Sequence, residues 1–224
     1  MLEPSSWLLL VALGVAAALD TTSVGQIMVS RPLVSGTLAG WVLGDPQTGL
    51  LLGGVLEAVH LGGLPMGGAR LPEPGPAAIP GVVVAVSLGG SPGLAAGAAL
   101  GTVWGLLGGG SISLLRRANG WITRPVDEGR SDYRALSLRH WACIALDGTR
   151  GAVLTAVGIG MGTALSTRLG GAWWPLGTPD TVALLLLPGA LAGGALLRSW
   201  SFPRRRALLF LVGALGGVAL AVIL

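Results

Sequence analysis

Lysine is absent from the 224-residue chain, and all 14 basic residues are arginine. The phosphate loop Gly-x-x-x-x-Gly-Lys therefore cannot be written in it, and the glycine cluster at 62–68 is not one. Charge of either sign is scarce, at 11% of residues against about 25% in soluble domains. Cysteine occurs once, as Cys143 in an apolar run, which excludes an internal disulfide and a thiolate metal cage and leaves a small buried hydrophobe. Aromatic residues make up 5% of the chain and only isolated ones, such as Trp121 and Tyr133, fall among the arginines, which argues against a nucleic-acid surface. The net charge of +4 comes mainly from two Arg-rich segments and speaks to membrane topology instead.

What is present is hydrophobic: 52% of residues are apolar and mean hydropathy is +0.75. The fold expected is an all-α polytopic membrane protein of roughly six to eight hydrophobic segments, some re-entrant, in one membrane domain over 1–224. Its parts would be a site-bearing half at 1–115, a cytoplasmic loop at 116–139 and C-terminal helices at 140–224. Glycine is frequent, at 39 residues, and in lipid small residues let helix backbones approach closely. Gly36, Gly40 and Gly44 are spaced as one face, as are Gly97, Gly101 and Gly105.

In chain order, the apolar run 7–19 follows Glu3 and Pro4 with no basic n-region, so it reads as a retained first span or half-span, either continuing past Asp20 or stopping there and re-entering, and not a cleaved leader. Residues 20–26 are a polar pause. Runs follow at 33–43, 50–64 and 77–88, separated by the break signal Asp45-Pro46 and by Gly/Pro clusters. A full-length span is expected at 93–115. The Arg-rich stretch 116–139 is placed in the cytoplasm. Spans at 140–165, 181–197 and 207–224 then alternate and put the C-terminus outside, with Trp173 and Trp174 at the opposite interface.

The stretch 44–81 stands out because it is apolar yet carries Asp45, Glu57, His60, Arg70 and Glu73. Ionisable groups in hydrocarbon cost roughly 2.5–3.5 kcal/mol each on insertion scales and usually face a cavity or a partner. Backbone broken at membrane depth persists only where it is buried in protein or lines a water-filled space. Glu57 and His60 lie three apart and share a helix side. That spacing is also half of a carboxylate-bridged di-iron site, but the only other histidine, His140, lies at the edge of the long polar segment. No motif implies a cofactor, and no Ser/His/Asp or Cys/His set can be assembled.

Ser30-Arg31-Pro32-Leu33, Gly40-Trp41-Val42-Leu43-Gly44-Asp45, Thr48-Gly49, Gly53-Gly54-Val55-Leu56-Glu57 and Pro72-Glu73-Pro74 before Ala77-Ala78-Ile79 follow in an order that resembles the IIC membrane subunit of the mannose/sorbose-type sugar phosphotransferase system. The likeness covers roughly residues 15–90. Glu73 stands where that family usually has Asp, and Pro74, Pro76 and Pro80 are additional.

The resemblance implies a sugar-translocating subunit with no catalytic residue of its own. It would pair with a IID membrane subunit and pass sugar to a cytoplasmic IIB protein that IIA phosphorylates, in a hetero-oligomer within the bacterial cell membrane. It also implies a sugar site at the broken-helix region, here Glu57 and the stretch from Gly67 and Gly68 to Glu73. From the residues themselves, His60 is an interior or site-lining candidate beside Glu57, and Asp20 and Gln26 border the first break, where either could reach a sugar. The residues leave alternatives open. Glu57 could hold sugar hydroxyls, or pair with Arg31 or Arg70, or cap a half-helix. Glu73 could line the site or pair with Arg70 at the surface, and Asp20 could be a helix-end residue. An ion-coupled transporter using Glu57 and Asp20, or a membrane scaffold that moves nothing, are the other readings of the whole chain.

Overall fold

The computed structural model describes residues 3–60, 72–123, 133–170 and 173–199. These form seven helices and, among them, no strand: α1 (Pro4–Thr22), α2 (Pro32–Val42), α3 (Pro46–His60), α4 (Pro74–Leu88), α5 (Gly90–Ile122), α6 (Tyr133–Leu169) and α7 (Thr178–Ser199). The expected sites Gly67 and Gly68 and the expected last span at 207–224 lie outside the described residues.

The first four helices each begin at a proline: Pro4, Pro32, Pro46 and Pro74. The first amides of a helix have no intrahelical acceptor, so a residue without an N–H fits there and its fixed φ is already helical. Asp45 completes the start of α3, its carboxylate accepting from the Thr48 amide at 3.0 Å and the Thr48 hydroxyl at 2.6 Å, the usual N-cap arrangement.

Helices α2 and α3, of 11 and 15 residues, are about 17 and 22 Å long. Each falls short of the roughly 30 Å hydrocarbon layer, and they fold back on each other as a hairpin. The backbones touch along a glycine seam: a Cβ on Gly40 would sit 2.8 Å from the Gly49 Cα, and one on Gly53 would sit 2.5 Å from the Pro32 carbonyl oxygen. Gly44 does not join this seam as its spacing suggests. Its φ of +81° makes the reversal between the helices, a conformation costly for any residue with a Cβ.

Helix α4 is the hub. Every residue from Gly75 to Ala85 is buried, and the helix packs against α1, α2, α3, α5 and α6. At Gly89 and Gly90, both with positive φ, the chain reverses into α5, and Gly97 of α5 lies against Gly81 of α4 with no room for a side chain. Helix α7 packs on α3 and α5. Helices α1, α5 and α6 are long and apolar enough to cross a membrane.

Of the two courses open to the first run, α1 takes continuation: the helix runs through Asp20 to Thr22, so the polar pause is partly helical. One boundary differs from expectation. The polar stretch 116–139 is mostly helix: α5 continues to Ile122 and α6 starts at Tyr133. With 33 and 37 residues these helices are about 50 and 55 Å long. Charge ends a span but not a helix, since arginine, leucine and alanine are good helix formers in water.

Gly40→Leu should break the α2–α3 seam. Overpacking of this kind costs about 1–3 kcal/mol or more, so detergent-solubilised protein should melt several degrees lower, while Gly110→Leu, at a position with open space around its Cβ, should melt with the parent.

Candidate functional site

Where α4 begins, three helices meet at one guanidinium, and a fourth joins through its counter-ion. Arg150 of α6 donates from Nη1 to Glu73 Oε2 at 2.6 Å and from Nη2 to Glu73 Oε1 at 2.7 Å. It donates to Asp147 Oδ1 from Nε at 3.0 Å and from Nη2 at 2.9 Å, and from Nη1 to Ser111 Oγ of α5 at 2.8 Å. All five N–H groups that an arginine has are thereby used. The second oxygen of Asp147 accepts from the Thr22 hydroxyl at the end of α1 and from the Ser23 hydroxyl at 2.5 Å. The side chains of Glu73 and Asp147 are fully buried, and that of Arg150 is 11% exposed. Two carboxylates share one cation, so the cluster carries a formal charge of −1. Hydroxyl donors supply the rest of its stabilisation, as a buried charge requires.

The remaining expected residues fall around this cluster. The Glu73 amide donates to the Gly105 carbonyl of α5 at 2.8 Å. His60, the last described residue of α3, approaches the same glycine: a Cβ on Gly105 would lie 3.6 Å from His60 Nε2 and 3.8 Å from the Glu73 carbonyl oxygen. His60 Nδ1 donates back to the Leu56 carbonyl at 2.7 Å, which leaves Nε2 toward α5. His60 and Glu73 thus converge on one turn of α5.

Glu57 sits one turn earlier on α3. Its carboxylate accepts from Arg31 Nη1 at 3.0 Å and from the Leu33 amide at 3.4 Å, so it pairs with Arg31 and serves the first turn of α2. Asp20 is buried and accepts from the Ile27 amide at 2.5 Å, the Ser30 amide at 2.9 Å and the Ser30 hydroxyl at 2.8 Å, drawing the 23–31 loop back over the end of α1. Within that loop Gln26 is exposed and takes a left-handed φ of 54°, as does Met28 at 71°. The backbone of Ser30 then lies directly against Gly75, and Ser35 Oγ donates to the Gly75 carbonyl at 2.9 Å. Among the described residues no three metal-ligating side chains come together.

The sequence reading passed over Arg150, Asp147 and Ser111, although an Asp and an Arg three apart inside an apolar span carry the same signal that singled out Glu57. Beside the cluster, α5 and α6 diverge to leave an open groove of about 450 Å³ lined by Trp104, Leu107, Leu146, Val153 and Val157. Trp104 Nε1 closes its end by donating to the Leu154 carbonyl at 3.1 Å.

Residues 5–172 match the family described as the sorbose-specific IIC component of the phosphotransferase system. The N-acetylgalactosamine permease IIC component 2 of Escherichia coli (strain K12) is 40% identical over 91 residues, 40% of this chain and 68% of that protein. The fructose permease IIC component of Bacillus subtilis (strain 168) is 48% identical over 60 residues, 27% of this chain and 20% of the relative. The mannose-specific EIIC component of E. coli (strain K12) is 37% identical over 62 residues, 28% of this chain and 23% of the relative. Two solved structures share the fold at 20% identity. One, of a membrane protein, has a TM-score of 0.73 over 100% of this chain and 93% of its own. The other, the mannose transporter ManYZ with microcin E492, has a TM-score of 0.63 over 99% and 92%.

Removing one partner of a buried ion pair costs about 3–5 kcal/mol, whereas an exposed pair is worth about 1 kcal/mol or less. Arg150→Ala should therefore lower the melting temperature far more than Arg31→Ala, whose side chain is 59% exposed; thermal unfolding of the two variants in one detergent checks this.

Proposed function

The chain belongs to the sorbose-specific IIC component family of the phosphotransferase system, multi-pass proteins of the bacterial cell membrane, and from that premise we propose that it is the sugar-translocating subunit of a mannose-type permease. The sugar is held at the interruption between α3 and α4, with Glu57, His60 and Glu73 bordering it. The observation that carries this reading is the convergence of His60 and Glu73 on Gly105, which brings both ends of the interruption, with ionisable groups, to one point beside a buried charge cluster. Carboxylates suit sugar hydroxyls because each oxygen accepts from two directions. Each Glu73 oxygen accepts one bond from Arg150 and keeps a lone pair.

Chemistry is assigned elsewhere. The chain passes sugar to a IIB protein that carries out the phosphorylation, IIA supplies the phosphoryl group, and a IID subunit shares the membrane. Alternating access then consists of α4 and the α2–α3 hairpin shifting against α1, α5 and α6. This division follows the helix lengths, since short helices that end inside the protein are the usual builders of transporter sites.

Cells supplied with the IIA, IIB and IID partners and labelled hexose test the reading. Glu57→Gln should insert at the parental level and lose uptake by roughly tenfold or more, the scale of one charge-assisted hydrogen bond. Unchanged uptake removes Glu57 from the site, and gradient-driven uptake in vesicles without IIA and IIB overturns the phosphorylation-coupled role.

A further inference from the structure

The cluster at Arg150 holds more negative charge than it needs for cohesion. A single guanidinium facing one carboxylate would be neutral, and here it faces two. The two are not equivalent. Asp147 stands three residues from Arg150 on the same helix, and its other oxygen is fixed by Thr22 and Ser23, so it stays with the arginine in any arrangement of the helices. Glu73 reaches Arg150 from a different element, 77 residues away in the chain, at the point where α4 begins. Its departure would leave Arg150 neutralised by Asp147 and bonded to Ser111.

We propose that the Glu73–Arg150 pair is a releasable latch between the start of α4 and helix α6, with Asp147 as the resident counter-ion that makes release affordable. Breaking a buried pair is costly when it leaves an uncompensated charge. Asp147 removes that cost on the arginine side and, by like-charge repulsion at short range, weakens the hold on Glu73. The structure is the latched state: Glu73 has no exposed surface, and α4 is buried from Gly75 to Ala85. In the released state the Glu73 carboxylate is free for new donors beside the interruption after α3. The inference deepens the proposed translocation role and rests on it only for what the released carboxylate then binds.

The opposite effects of two neutralising substitutions separate a latch from a static anchor. In full-length protein carrying Cys143→Ser, Ala77→Cys places a thiol one turn into α4, at a position with no exposed surface, and its reaction with a membrane-permeant maleimide in native membranes reports opening. Glu73→Gln weakens the hold and should speed labelling roughly tenfold, a small part of what a buried pair can carry. Asp147→Asn removes the competing charge, tightens Glu73 on Arg150, and should slow labelling several-fold below the parent. A static anchor predicts that Asp147→Asn loosens the packing. Labelling as fast as or faster than the parent in that variant, or its failure to insert, overturns the latch. Sugar uptake is not needed for this readout, so a parent that moves no sugar bears on the proposed function alone.

Discussion

A helix that ends inside a membrane protein leaves its terminal backbone groups without water, and the structure depends on how the start of α4 meets that constraint. Its first three residues are Pro74, Gly75 and Pro76, two of which carry no N–H, so fewer orphan donors need acceptors than at an ordinary helix start. The Glu73 amide just before them is satisfied by the Gly105 carbonyl, and its side chain by Arg150. Two of the prolines that look like departures from the family pattern, Pro74 and Pro76, thus suit the helix start, while the third, Pro80, lies inside α4. The cost of burying Glu73 is met by a guanidinium from α6, and that bond draws α5 and α1 to the same place through Ser111 and Asp147.

Around this point the helices approach at backbone distance. The seams between α2 and α3 and between α4 and α5 bring glycine against glycine at Gly40–Gly49, Gly36–Gly53 and Gly81–Gly97, which suits a setting where close van der Waals packing, and not exclusion of water, drives association. Polar bonds are concentrated at the ends of the short helices: Asp45 on Thr48, Glu57 on the first turn of α2, Asp20 on the 23–31 loop. Asp20, Asp45, Glu57 and Glu73 thus each have a helix start, a turn or a cation to satisfy, and the proposed sugar must compete with or add to those bonds.

Helix order and starting points were legible in the sequence because they are local. Proline before an apolar run, Asp-Pro breaks and Gly pairs mark ends whatever the tertiary context, and α2, α3 and α4 begin within a few residues of the expected runs. Gly44 went astray because its spacing matched a packing face while its φ serves the turn. The outer parts of α5 and α6 resemble a loop in sequence because arginines mark the membrane boundary, which lies inside each helix. Of the site, Glu57, Asp20 and Glu73 were visible as charges in apolar surroundings. Arg31, close enough in sequence to be a candidate partner of Glu57, is its partner in the fold. The partner of Glu73 was not legible, since the Glu73–Arg150 pair spans 77 residues and no pattern encodes which distant cation meets which acid.

The lengths of α5 and α6 have a mechanical consequence. Each exceeds the hydrocarbon thickness by roughly 20 Å, so the ends bearing Arg116, Arg117, Arg134 and Arg139 stand in water as rigid continuations of the rods that carry Ser111 and Arg150. A tilt of either rod at the charge cluster is magnified at its tip in proportion to the length beyond the pivot. The stalks act as levers: a tilt at the charge cluster is carried outward along both rods to their Arg-bearing ends.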